Sequence, residues 1–88
     1  MLKLEYTNQF KRDLKLAIKR RKNTSKLDEI IDRLLKETPL DPKNRDHFLS
    51  GDYKGHHECH IEPDWLLIYM KSETKIILVR TGTHADLF

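Results

Sequence analysis

The six residues Trp65–Met70, "WLLIYM", constrain this chain most, because they are apolar on both faces. A strand with one wet face alternates apolar and polar side chains. A run without alternation reads as a central strand covered on both sides. Its flanks are turn formers: "EPDW" offers Pro63 and Asp64, and "KSET" is a polar turn. Beyond them lie two further strand patterns. In "HHECHIE", His57, Cys59 and Ile61 alternate with His56, Glu58, His60 and Glu62, and "KIILVRT" runs to Gly82. Three strands joined by tight turns predict an antiparallel meander.

The first half of the chain has a different period. Leu2, Leu4 and Tyr6 alternate with Lys3, Glu5 and Thr7, as in a half-buried strand. Thr7 or Asn8 can cap the helix that follows, in which Phe10, Leu14, Ala17 and Ile18 form one stripe. Ser25, with Asp28 three residues on, is a weak capping box for a second helix, whose stripe is Leu27, Ile30, Ile31, Leu34 and Leu35. Pro39 stops it. The short Asn23–Ser25 link predicts an antiparallel helical hairpin. From Leu40 to Gly55 no period survives, so this stretch reads as a long loop, and "THADLF" reads as a short tail. The fold class is therefore α+β in the order β-α-α-β-β-β: a small antiparallel four-stranded sheet with both helices packed on one face.

A chain of 88 residues supports one modest core, so residues 1–88 are expected to form a single domain. No stretch is apolar for the roughly 18 residues a membrane span needs, and the N-terminus lacks a signal-peptide core. One cysteine, Cys59, excludes an internal disulfide and fits a reducing cytoplasm. The net charge of +3 is uneven. Residues 1–26 carry nine Lys/Arg against two acids, and the rest carries eight against twelve. The basic end suits either a polyanion or a solvated helix face; with RNA as partner, Lys11, Lys15, Lys19 and Arg20–Lys22 would contact it.

Five histidines, His47, His56, His57, His60 and His84, ask for an explanation. A metal site is poorly supported: on a strand, His56 and His60 are roughly 13 Å apart, and the H-E-x-x-H spacing is absent. Half-buried structural roles suit His56 and His57. Metal-independent acid–base cleavage of RNA suits the others. It needs a base for the 2′-OH, an acid for the 5′-oxygen and a cation for the phosphorane, and histidine titrates near neutrality. His60 and Asp64 flank one turn, Arg80 and His84 end the last strand, and His47 lies in the long loop. A non-catalytic binding module is the remaining reading, built on the basic helix with Tyr53, Trp65, Tyr69 and Phe88.

The stretches "KRDLKLAIKRRKN", "RDHFLSGDYKG", "CHIEPDWLLIY" and "RTGTHADLF" resemble the YafQ branch of the RelE/ParE toxin superfamily nearly end to end. The resemblance implies a bacterial, cytoplasmic type II toxin. Such a toxin is a cofactor-free endoribonuclease that cuts mRNA in the ribosomal A site and so inhibits translation. It implies a cognate antitoxin as inhibitory partner, with operator DNA reached only through that antitoxin. Matched residue by residue, it implies a cleavage site of His47, His60, Asp64, Arg80, His84 and Phe88. His84 is the expected acid, and His47, His60 or Asp64 the base. Lys54 is expected to add charge, and Trp65 to share base stacking with Phe88. A gyrase-poisoning ParE-like toxin and an inert antitoxin-binding relative are the alternatives.

Overall fold

The structure, a computed structural model, describes all 88 residues. Strand β1 (Lys3–Tyr6) leads into helices α1 (Asn8–Lys19) and α2 (Thr24–Leu35). Strands β2 (His47–Phe48), β3 (His57–Glu62), β4 (Trp65–Lys71) and β5 (Lys75–Gly82) follow, and helix α3 (His84–Leu87) ends the chain. The sheet order is β1-β5-β4-β3-β2. No helix is long and apolar enough to cross a membrane.

The expected meander is present, with β4 between β3 and β5. Two expectations about the sheet need correction. It has five strands, because His47–Phe48 in the presumed loop pairs with β3. It is also mixed, because β1 runs parallel to β5, bonded through Lys3 N–H to Thr74 O and Thr7 N–H to Leu78 O. Alternation reports which face of a strand is buried and carries no information on its direction. As an edge strand, β1 buries only the preceding Leu2 and leaves Leu4 and Tyr6 exposed.

The helix termini are also set differently. Thr7 caps α1, its Oγ1 accepting from Phe10 N–H at 3.0 Å and donating to Val79 O at 2.8 Å, which pins the helix start to β5. Asn23, not Ser25, caps α2, by accepting from Ser25 N–H. Both helices close before any proline. Arg21 (φ 59°) and Glu37 (φ 56°) adopt the left-handed conformation. The amides of Lys22 and Thr38 then reach back to Ala17 O and Arg33 O. This is the Schellman closure, made here without glycine.

Strand β4 is covered on both sides, as its composition demands. Trp65, Leu67 and Tyr69 join Phe10, Ala17, Leu27, Ile30, Leu34, Ile76 and Leu78 in the main core under the helices. Leu66 and Ile68 face the other way and meet Leu87 of α3, with Leu49, Tyr53 and Val79 around them. Burying Leu87 stabilises the docked tail by about 1.5–3 kcal/mol. The "tail" is thus a helix with a reciprocal capping box, Thr83 with Asp86. Its T-x-x-D spacing was visible in the sequence.

Candidate active site

The face of the sheet away from α1 and α2 gathers most of the predicted residues, by register alone. Side chains directly opposite on neighbouring strands share a face. His47 lies opposite Glu58, Glu58 opposite Ile68, and Ile68 opposite Arg80. In the next row His60 lies opposite Leu66, and Leu66 opposite Gly82. His84 follows where β5 ends.

His84 Nδ1 lies 2.6 Å from Asp64 Oδ1, and the His84 backbone N–H donates to the same oxygen at 2.9 Å. A carboxylate only accepts, so Nδ1 carries a proton and Nε2 is left free to react. These two bonds, the backbone one first, hold the Asp64 carboxyl below its ordinary range. The rings of His84 and His60 are 5.7 Å apart, centre to centre. His60 donates Nδ1–H to Pro63 O at 3.3 Å, and His47 donates Nδ1–H to Arg45 O at 2.6 Å. Both then turn Nε2 toward Glu58 Oε1, at 3.8 Å from His60 and 3.4 Å from His47. A bare Nε2 repels an ionised carboxylate. Each contact is therefore complementary only when its own Nε2 carries a proton that Glu58 can accept. Glu58 is only 6% exposed.

Sequence reasoning placed Glu58 and His60 on one face but gave Glu58 no role in cleavage. The missing signal was the pairing of β2, which brings His47 over the same carboxylate. No set of three or more His, Cys, Asp or Glu side chains is arranged to hold a metal ion.

His47 is seated from beneath. On the opposite face of the same strands, Phe48, His57 and Tyr69 form a second cross-strand row. The His57 ring stacks on Tyr69 at 4.9 Å and lies 4.1 Å from the Phe48 ring. Burial lowers the tendency of His57 to protonate. Tyr69 donates its hydroxyl to Asp46 Oδ1 at 2.6 Å, and burial with this bond raises the phenol so that it stays a donor. His56 meets Tyr53 edge-on. Both histidines assigned a structural role thus sit in aromatic contacts.

Arg80 shares the face, yet its guanidinium is held at the rim. Nε and Nη2 donate to Asp13 of α1 at 2.7 and 3.2 Å. β1 pairs with β5 only as far as Leu78, so beyond it the edge of β5 is open. There Asp13 also accepts from Thr81 N–H. The bond to Asp13 chiefly, with a further contribution from Tyr53, favours the charged form of Arg80. Arg80 lines a small cavity of about 170 Å³, whereas His60 and His84 line a larger groove of about 560 Å³. Phe88 is 65% exposed and touches Tyr53 edge-on at 6.0 Å, one helical turn after His84. Lys54 is exposed and has no carboxylate partner.

One expected residue is displaced altogether. Trp65 is 1% exposed and belongs to the main core, so it presents no face on which a base can stack. Its indole Nε1 has no hydrogen-bond partner.

Fold and site together define a small α+β protein whose sheet carries an Asp–His pair beside a His–Glu–His trio. Residues 2–88 match the family model described as "Bacterial toxin of type II toxin-antitoxin system, YafQ". The mRNA interferase toxin YafQ of Escherichia coli K12 is 44% identical over 86 residues, which cover 97% of this chain and 94% of that one. The toxin in a crystal structure of the E. coli DinJ–YafQ complex is 43% identical, with a TM-score of 0.93 over 100% of this chain and 99% of that one. A copper-bound mutant toxin from Helicobacter pylori is 41% identical, with a TM-score of 0.95 over the full length of both. The chain belongs to the YafQ family of type II toxins.

Proposed function

We propose that this protein is an mRNA interferase, an endoribonuclease that cuts messenger RNA in the ribosomal A site and thereby stops translation. A cognate antitoxin, as DinJ is for E. coli YafQ in their complex, keeps it silent. The observation that carries the reading is the pair of imidazoles 5.7 Å apart, each held by its Nδ1, with the Nε2 of His84 free and that of His60 turned toward Glu58.

Cleavage of RNA by its own 2′-oxygen forms one P–O bond and breaks the P–O5′ bond. The products are a cyclic phosphate and a 5′-hydroxyl. Attack and departure are in line, so a base and an acid must bracket the phosphorus. His84, protonated, donates from Nε2 to the leaving 5′-oxygen, while Asp64 holds the ring by Nδ1. The proton of the 2′-OH passes to the His60–Glu58–His47 trio. Glu58 positions these two rings and balances the imidazolium formed there. Arg80 supplies positive charge from the β5 side. Phe88 stacks on a base, worth about 1–3 kcal/mol.

Primer extension on a reporter message during induced expression tests the reading. Codon-phased cuts are expected with the wild type. They should fall by about 10²–10⁴-fold with His84→Ala, the range for losing one proton-transfer role. A folded His84→Ala variant that cuts ribosome-bound message at the wild-type rate would refute the assignment.

A further inference from the structure

The groove lined by His60 and His84 runs on between α2 and the short turn Pro42–Arg45. Its apolar lining is limited to Ile30 and Ile61, so it is unsuited to an apolar ligand. Its acids are already engaged. Glu62 pairs with Lys26 at 3.0 Å, Glu29 with Arg33 at 3.4 Å, and Asp41 accepts from the Lys43 backbone N–H at 3.0 Å. Lys43 and Arg45 are left as cations without a carboxylate partner, side by side on one turn. That turn is tied to the candidate site. Asn44, 7% exposed, donates to the backbone carbonyl of His60 at 2.7 Å. His47 holds the next carbonyl along, that of Arg45. The backbone that carries the two cations is thus fixed relative to both histidines of the trio.

We propose that Lys43 and Arg45 form a phosphate-binding subsite for the message strand leaving the cleavage centre. The proposal rests on the nuclease reading, because it is continuity with His60 and His84 that selects an RNA strand as occupant. The test is the double variant Lys43→Gln/Arg45→Asn. Asparagine is chosen because position 45 is left-handed, φ 47°, a conformation asparagine tolerates. Toxin binding is measured across a salt series on two kinds of ribosome. One carries a message with a 2′-O-methylated A-site codon, which cannot be cut. The other carries a message that ends at the P site.

With the long message the variant should bind more weakly. Its log–log salt slope should be shallower by about 1.4, because two phosphates of a single strand are no longer neutralised. With the short message the two proteins should bind alike. Equal weakening on both ribosomes would assign the turn to ribosomal RNA and overturn the proposal. So would no weakening on either, including the case where only affinity for the antitoxin falls. Failure of the nuclease reading shows separately, as an ordinary message left uncut by the wild type.

Discussion

Replacing Tyr69 by Phe removes one oxygen and nothing else from the row that seats His47. The ring that stacks on His57 stays, and so does its place in the main core. What goes is the 2.6 Å bond to Asp46. Hydrogen bonds to charged groups are worth about 1.5–3 kcal/mol. Asp46 is half-exposed and recovers water when the bond is broken, so the cost lies at the low end, about 1.5 kcal/mol. For a chain of this size that lowers Tm by about 6–12 °C. The consequence for cleavage is more specific. β2 is two residues long and is held by its pairing with β3, the Phe48–His57 contact and this bond. If about 1.5 kcal/mol of the docking of β2 disappears, the docked fraction falls by up to about tenfold. The single-turnover cleavage rate should fall with it. Ring nitrogen signals of His47 should show its bond to the Arg45 carbonyl weakened, while those of His84 stay put. A drop in Tm with unchanged His47 signals and an unchanged rate would show that the bond only supports the core.

Two other perturbations probe the C-terminal end of β5. Asp86, held by Arg20 at 2.6 Å and by the Thr83 amide, has its carboxyl lowered to about 2. A depressed folded value gives stability that is present above the unfolded value near 4 and is lost as pH falls toward 2. Docking of α3, followed by the His84 and Phe88 signals, should therefore fail in that acid window in wild type, and Asp86→Asn should show a weakened α3 at neutral pH instead. Beside it, Asp13→Asn should destabilise the protein by about 1–3 kcal/mol in denaturant unfolding, since it removes a mostly buried negative charge and leaves one oxygen where two accept from Arg80 and the Thr81 amide.

Much of this molecule was written in local pattern. The unbroken apolar run of β4, the turns around it and the 3.6-residue stripes of α1 and α2 each follow from side-chain period and turn chemistry. These are properties of neighbours in the chain. Family-specific stretches picked out His47, His60, Asp64, Arg80, His84 and Phe88, and five of the six lie on or beside one sheet face, with Arg80 drawn to its rim.

Pairing between distant segments was not written there. Whether β1 runs with β5 or against it depends on which edge amides meet, and alternation is the same in both cases. A two-residue strand such as β2 has no period at all, yet its register alone brings His47 over Glu58. Trp65 could serve as a stacking platform or as a core residue until α1 and the sheet closed over it. The sequence by itself determined which faces had to be buried and which side chains could move protons. Only tertiary structure decided which of those side chains share a carboxylate, because contact across strands depends on register.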